Sequence, residues 1–231
     1  MVRAVGELLP PLVRLEFEGR YAAMLSHETK NYALLAYPAS SGDDDDAENR
    51  LLLRGVAFHS SRAEPFGEVF LRRAIACLLR GDIPGVQAAY LATADALLRR
   101  ELPTLQVTTR VRLTKTPQRY LASRTSRREA AYEALLASGR TRWSRGDQVR
   151  VYRASGGRSA LLADGADPRD YDARYYVRLL RETFAARLVR AFSPDDFAAI
   201  FAPPEQPSLF APPLETIHPI LTTLAEPPAD E

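Results

Sequence analysis

Alternating and helically spaced apolar residues predict both strands and helices in this chain. Residues 12–19, with the sequence LVRLEFEG, alternate apolar and polar side chains and predict a strand. Residues 30–37 and 51–58 predict two more strands. Between them lies a loop with four consecutive aspartates, which we interpret as solvated rather than as a cation site. We therefore expect a small antiparallel sheet at the start of the chain.

Two helices are predicted next. Apolar residues recur at helical spacing over 66–80, and Gly81 ends this run. Asp82 is a favoured helix-start residue, and the apolar positions after it extend to Leu98. We expect these two helices to pack as an antiparallel pair.

The remaining elements follow from the same signals. In chain order they are a β-like segment over 105–113, a helix capped by Thr116 and Pro117, a helix with a capping box of Ser126 and Glu129, a strand over 148–153, a hairpin turn at Gly156–Gly157, a long amphipathic helix over 172–192 and a short helix from Pro194. Nine of the 17 prolines lie from Pro194 onward, so residues 203–231 predict a flexible arm. The fold class expected is α+β, mainly helical.

Charge is distributed unevenly along the chain. The net charge is only +2, yet residues 110–153 carry twelve basic side chains against three acidic ones. No Lys or Arg follows Arg190, whereas seven acidic residues do. This pattern favours a body that binds a polyanion, with an acidic arm; a merely solvated, arginine-rich surface is the alternative.

The sequence gives little support for metal, disulfide or membrane chemistry. Cys77 is the single cysteine, which excludes an intrachain disulfide or a Cys-based zinc site and fits a reducing cytoplasm. The three histidines are scattered and do not form a ligand set. No apolar run approaches the ~20 residues of a membrane helix, and the N-terminus lacks the apolar core of a signal peptide.

Three clusters combine basic and aromatic residues. In the first, Lys30 and Tyr32 lie two residues apart in a predicted strand, so their side chains would project from one face. That pair could bind a phosphate backbone, or it could be an ordinary solvated strand edge. The second runs from Arg112 through Lys115 and Arg119 to Tyr120. The third includes the strand from Gly146 to Tyr152 and the segment 170–176, whose tyrosines could equally be packing aromatics.

Taken in order, these motifs resemble the C-terminal part of family B DNA polymerases. The similarity covers about residues 12–200. It rests on six motifs in this order: LEFE, Lys-x-Tyr at Lys30 and Tyr32, Arg54-Gly55 in place of a Lys-Gly turn, the Leu-Thr-Lys segment ending in Tyr120, Gly-Asp-x-Val, and Tyr-Asp-x-x-Tyr-Tyr. The resemblance implies palm-end strands in 1–60, a duplex-binding thumb in 61–202 and a tail in 203–231. It also implies DNA contacts by Lys30, Tyr32, Arg54, Arg112, Lys115, Arg119 and Tyr120.

The same resemblance implies that catalysis would need another chain. The family's metal-binding aspartate segments, Asp-x-x-Ser-Leu-Tyr-Pro and Asp-Thr-Asp, do not occur in this sequence. We therefore expect no catalytic residue and no cofactor in this chain. Magnesium would be held by a catalytic family B partner that shares the primer–template DNA in replication or repair. The alternatives are a non-catalytic remnant of a truncated polymerase gene and a binding module without polymerase activity.

A short peptide in the tail adds a second resemblance. Residues 206–210, with the sequence QPSLF, are similar to the Gln-Leu-Ser/Asp-Leu-Phe peptide that binds bacterial sliding clamps. This implies clamp contacts by Gln206, Ser208, Leu209 and Phe210, because an extended peptide can bury Leu and Phe in an apolar groove. Ile217, Ile220 and Leu221 are the alternative docking element, against the partner chain.

Overall fold

The computed structural model describes residues 18–37, 47–58, 63–203 and 213–223. Within these residues the strands form two antiparallel sheets, of four and three strands, and helices join and cover them. The predicted strand over 12–19 falls mostly outside the described residues, and its last residues, 18–19, are not in a strand. The aspartate run also lies outside them.

The first sheet has the order β3-β2-β1-β7. Its strands are β1 (Tyr21–Glu28), β2 (Asn31–Ala36), β3 (Leu51–Arg54) and β7 (Thr222–Thr223). The predictions for β2 and β3 are confirmed in kind, although β3 stops at Arg54, where Gly55 turns the chain with a φ of 93°. Strand β1 was not predicted, because its sequence YAAMLSHE lacks regular alternation.

Two helices follow, of which the first packs on this sheet and the second packs on the first. Helix α1 spans Pro65–Leu79 and α2 spans Ile83–Leu98, as their apolar spacing predicts. The Asp82 carboxylate caps α2 by accepting a hydrogen bond from the Gly85 N–H at 2.9 Å. Both helices contribute to a main core that also contains the inward-facing residues of β1 and β2.

A smaller core lies around the second sheet. This sheet has the order β4-β5-β6, with β4 (Thr109–Arg112), β5 (Gln148–Arg153) and β6 (Ser159–Leu161). Helices α3 (Pro117–Ser123) and α4 (Ala130–Ala137) contribute residues to the same core. Its centre contains Tyr120, Tyr132 and Trp143.

Two local predictions in this region are wrong. The predicted β-like segment begins instead as a 3₁₀ turn, Thr104–Val107, in which the Asp167 carboxylate accepts the Thr104 N–H at 2.7 Å and holds the turn in place. The capping box is also absent. Glu129 is itself the N-cap residue of α4, and its carboxylate pairs with Lys115 instead of reaching back to Ser126.

The predicted long helix over 172–192 changes its winding along its length. An α-helix, α5 (Ala173–Leu179), continues as a π-helical turn over Leu180–Phe184 and then as a 3₁₀ segment over Ala185–Ala191. The Phe184 ring sits directly against Gly67 of α1, where any β-carbon would collide with it. The last predicted helix, α6 (Pro194–Ile200), is confirmed, with the Ser193 hydroxyl accepting the Asp196 N–H.

Residues 213–223 are not an arm. Ile217 is only 4% exposed and belongs to the main core, and the Ile220 N–H donates to the Ala191 carbonyl at 2.8 Å. Strand β7 then pairs with β1. The prediction of a flexible tail is wrong for these residues because the few that are buried are widely spaced within a proline-rich, acidic stretch.

The fold class is α+β, as predicted, and the expected hairpin near Gly156–Gly157 is part of a second small antiparallel sheet. The main core contains residues from both sides of the predicted boundary at residue 60, among them Leu35 and Phe70. The limits of a palm-end and a thumb region remain predictions.

Candidate nucleic-acid interface

Tyr32 and Arg54 are brought together by the register of the first sheet. They lie directly opposite each other on β2 and β3, and cross-strand partners project from the same face. Ala33 and Leu35 face the main core, so strand alternation places Tyr32 and Arg54 on the face that points away from it. Arg54 is exposed and Tyr32 is half-buried.

Lys30 does not lie in the strand, which corrects the sequence prediction. It occupies the two-residue turn between β1 and β2 and has a φ of 64°, a left-handed conformation that is uncommon for a non-glycine residue. Strand β2 begins one residue later, so Lys30 and Tyr32 do not project from one strand face as predicted. Lys30 is nevertheless exposed at the end of the hairpin that carries Tyr32.

Asn31 connects this hairpin to the turn after β3. Its side-chain oxygen accepts the Ala57 N–H at 2.9 Å, and its side-chain nitrogen donates to the Thr29 carbonyl at 3.1 Å. Gly55 lies against the Asn31 side chain and the Lys30 carbonyl, so closely that a β-carbon at this position would collide with both. Two motifs more than 20 residues apart therefore form one surface, which we call the hairpin cluster: Lys30, Tyr32 and Arg54.

The cations of the hairpin cluster are not neutralised by the rest of the described chain. Neither Lys30 nor Arg54 forms a salt bridge or side-chain hydrogen bond among the described residues. Glu28 is an exposed acid on the same hairpin, opposite Asn31. The cluster thus offers an ammonium, a guanidinium and a phenol, which suit phosphate oxygens better than base edges.

Arg112 and Arg119 are surface cations near the smaller core. Arg112 ends β4, opposite Gln148, and is exposed. Arg119 is exposed in the first turn of α3, where its N–H is capped by the Thr116 hydroxyl. Both positions are accessible to a polyanion, and their contact with DNA remains a prediction.

Lys115 is committed to an internal ion pair. Its ammonium lies 2.7 Å from a Glu129 carboxylate oxygen and 3.2 Å from the Ser123 hydroxyl, and its side chain is 25% exposed. The prediction that it is a DNA contact is not supported by this geometry. Its role here is to join the loop after β4 to the start of α4.

Tyr120 is fully buried, which corrects its prediction as a DNA contact. Its ring stacks on Tyr132 with 4.4 Å between centroids, and its hydroxyl donates to Glu133 at 2.6 Å while accepting the Glu129 N–H at 3.2 Å. A side chain with no accessible surface cannot reach a phosphate. Tyr120 is therefore a core residue.

Glu133 is the acceptor at the centre of this network. The Arg124 guanidinium binds it through two nitrogens, at 2.8 and 2.9 Å, and the Tyr120 hydroxyl adds a third donor. These donors lower the pKa of Glu133 from 4.5 to about 2, the Arg124 hydrogen bonds contributing most. Arg124 is accordingly occupied and is not a free surface cation.

The tyrosines of the third basic-aromatic cluster are also structural. Tyr152, Tyr171 and Tyr176 are buried, and the Tyr176 hydroxyl accepts the Arg153 N–H at 2.8 Å. Arg153 lies over the ring of Tyr175, 4.7 Å from its centroid. The alternative interpretation, that these tyrosines are packing aromatics, is the one that the structure supports.

Some predicted features lie beyond the described residues. Gln206, Ser208, Leu209 and Phe210 are among them, so clamp binding by these residues remains a prediction. Across the described ranges, no group of three or more His, Cys, Asp or Glu side chains is placed to hold a metal ion. None of the helices in these ranges is long and apolar enough to cross a membrane.

Comparison with known proteins adds evidence on the fold. No protein-family model matches the chain, and no curated protein matches its sequence. Among solved structures, the chain is similar to the family B DNA polymerase from the hyperthermophilic archaeon Pyrobaculum calidifontis, with a TM-score of 0.56 and 15% sequence identity. The match covers 80% of this chain and 23% of that polymerase. This chain therefore has a fold similar to a segment of a family B DNA polymerase.

Proposed function

We propose that this chain is the duplex-binding, thumb-like part of a family B DNA polymerase that works with a separate catalytic chain. The observation that carries the proposal is the hairpin cluster, in which Tyr32 and Arg54 share a sheet face directed away from the core and Lys30 is exposed in the adjoining hairpin turn. The similarity of fold to a polymerase segment supports it.

The chemistry of the cluster predicts how DNA would be held. Ammonium and guanidinium groups bind phosphate oxygens and displace condensed counterions, so affinity should fall steeply with salt. Such contacts position a duplex without reading its bases. Binding should therefore depend little on sequence.

Catalysis is assigned to the other chain. The sequence lacks the aspartate segments by which the family holds magnesium, and no alternative acidic cluster is formed by the described residues. Metal ions in the partner would stabilise the phosphoryl transfer. This chain would hold the primer–template duplex in register with that site.

Two measurements test the proposal. In the first, the full chain is titrated against a fluorescein-labelled primer–template duplex and a single strand of the same length, and fluorescence anisotropy is recorded over a salt series. We expect salt-sensitive binding that favours the duplex. Binding that is insensitive to salt or equal for the two DNAs would contradict the proposed role.

The second measurement addresses the partner. Affinity-tagged chain is used to recover a protein that carries an Asp-Thr-Asp segment, and primer extension is assayed with and without this chain. We expect longer products per binding event when the chain is present. Recovery of no such protein, together with unchanged extension, would favour a polymerase remnant or a simple binding module.

A further inference from the structure

A basic cleft opens beside the smaller core, away from the residues of the hairpin cluster. It has a volume of about 700 Å³ and lies between the C-terminal end of α4, strand β5 and the segment that follows β6. Three arginines line it: Arg110, Arg140 and Arg150. We call this the arginine cleft.

Arg110 and Arg150 face each other across the sheet. The register of β4 and β5 places them directly opposite, and like charges at such positions destabilise a sheet. Neither arginine forms a salt bridge or side-chain hydrogen bond among the described residues. An anion bound between them would offset this repulsion.

Strand alternation explains why both side chains lie on the face opposite the smaller core, where Arg110 is exposed and Arg150 is half-buried. Val149 and Val151 belong to the smaller core, and Val111 packs against it. Arg110 and Arg150 alternate with these valines, so they project from the opposite face.

The third arginine enters from the end of a helix. Helix α4 ends at Ala137, and Gly139, with a φ of 77°, reverses the chain so that the Arg140 N–H binds the Leu135 carbonyl at 3.0 Å. The Arg140 guanidinium makes two long contacts, in which its Nε donates to the Arg142 carbonyl at 3.4 Å and a terminal nitrogen lies 4.0 Å from Asp147. It is thus available to a ligand in the cleft.

The lining favours one class of ligand. Guanidinium groups bind phosphate oxygens through paired hydrogen bonds, and the Gln148 side chain adds a neutral donor. Asp164 is the one carboxylate among the described lining residues, so the three arginines leave an excess of two positive charges. None of the described residues that line the cleft is aromatic, so this lining offers no ring on which a base could stack.

We propose that the arginine cleft binds phosphate oxyanions, with the backbone of a nucleic acid as its ligand. The inference goes beyond the hairpin cluster, because it assigns a second anchoring point that does not depend on Lys30, Tyr32 or Arg54. Free polyphosphates share the same chemistry, and the experiment below separates the two sources.

The test compares two double variants of the full chain with equal loss of charge. Arg110→Gln with Arg150→Gln removes the opposed pair, and Arg127→Gln with Arg128→Gln removes two exposed arginines outside the cleft lining. Both variants are titrated with labelled duplex DNA over a salt series, and calorimetry with tripolyphosphate is run in parallel. Thermal melting of each variant checks its folding; loss of the opposed pair should not lower the melting temperature.

We expect the cleft variant to bind duplex DNA on the order of tenfold more weakly, with the slope of log affinity against log salt reduced by roughly 2, since each phosphate contact contributes about 0.9. The control variant should lose much less duplex affinity. Loss of tripolyphosphate binding with unchanged duplex affinity would assign the cleft to free polyphosphates. Equal losses in both variants, or no loss of either ligand, would overturn the proposal. The tripolyphosphate measurement stands even if the hairpin cluster proves not to bind DNA.

Discussion

Two residues show that the spacing of basic and aromatic side chains along the sequence does not by itself identify a DNA contact. Lys115 and Tyr120 occur in a basic-aromatic pattern that resembles a DNA contact, yet one is ion-paired and the other is buried. The pattern records residue types but not which face of a short helix is covered by its neighbours. Tyr132 and Glu133, which decide the position of Tyr120, come from a separate helix.

The first prediction concerns the Tyr120 hydroxyl. Tyr120→Phe keeps the ring stacked on Tyr132 but removes the donor to Glu133 and the acceptor for the Glu129 N–H. The free energy of unfolding should fall by about 1–3 kcal/mol. Chemical unfolding followed by fluorescence of Trp143, the single tryptophan, reports on the smaller core directly.

The matched control for this change is Tyr32→Phe. Tyr32 is half-buried and outside the smaller core, so its hydroxyl should contribute little to stability. A loss of DNA affinity in Tyr120→Phe with unchanged stability would show that Tyr120 is a contact after all.

The second prediction is a pH dependence. The folded pKa of Glu133, about 2, lies below its ordinary value of 4.5, so the fold favours the charged form. Its stabilising contribution is complete above the ordinary pKa and is lost as the pH falls from about 4.5 towards 2. Glu133→Gln should therefore destabilise the smaller core near neutral pH and make progressively less difference in acid.

Unfolding curves of the wild type and of Glu133→Gln, monitored by Trp143 fluorescence at several pH values, measure this effect. The difference between the two proteins should shrink as the solution is acidified. A difference that stays constant with pH would mean that the Arg124 and Tyr120 hydrogen bonds do not depend on the charge of Glu133.

At the scale of elements, local signals predicted helices better than strands. Four helices, α1, α2, α3 and α6, have a proline near their start and a glycine or polar capping residue nearby. Such residues mark a helix end through contacts within a single turn, so the local sequence reveals them. Strand β1 pairs mainly with the neighbouring β2 but lacks regular apolar alternation, and the π-helical turn packs against Gly67, which is distant in sequence. No local pattern could therefore reveal them.

The third prediction tests the contact between Phe184, in the π-helical turn, and Gly67. Alanine usually stabilises a helix relative to glycine by about 1 kcal/mol, but at Gly67 a β-carbon would collide with the Phe184 ring. Gly67→Ala should therefore destabilise the main core by about 1–3 kcal/mol, as overpacking does. Thermal unfolding by circular dichroism measures this.

Gly81→Ala provides a contrast, because no atom lies near a β-carbon at Gly81 and only its φ of 76° opposes the change. Combining Gly67→Ala with Phe184→Leu should recover part of the loss, since the smaller side chain makes room. A Gly67→Ala variant as stable as the wild type would contradict the packing argument.

At the scale of the whole molecule, residues 213–223 return to the main core and the first sheet. Ile217 is 4% exposed in the main core, whereas Ile220 is 66% exposed three residues later. Our fourth prediction is that Ile217→Ala lowers the free energy of unfolding by about 2–4 kcal/mol, the usual cost of truncating a buried isoleucine. Ile220→Ala, the matched control, should change it little.

Thermal unfolding of the two variants separates a core role from a docking role. If Ile217 served only to dock a partner, both variants would melt with the wild type. In an acidic, proline-rich stretch a single buried residue gives no local sequence signal, so the sequence alone leaves these isoleucines as candidates for docking a partner.

The candidate interface was partly visible in the sequence. Lys30, Tyr32 and Arg54 were each identified from short motifs, but only the strand register shows that Tyr32 and Arg54 are neighbours. Arg110 and Arg150 were counted as part of a basic segment and not as a pair. Their opposition depends on how β4 and β5 align, which residue spacing does not determine.

The most direct test of the account is the salt dependence of duplex binding in a hairpin variant. Lys30→Gly with Arg54→Gln removes both cations of the hairpin cluster, and glycine tolerates the φ of 64° at position 30. Anisotropy titrations of labelled primer–template with this variant and with the wild type give the two slopes of log affinity against log salt. Our account predicts that the variant folds normally and has a slope smaller by roughly 2. An unchanged slope and affinity would show that the hairpin cluster does not hold DNA.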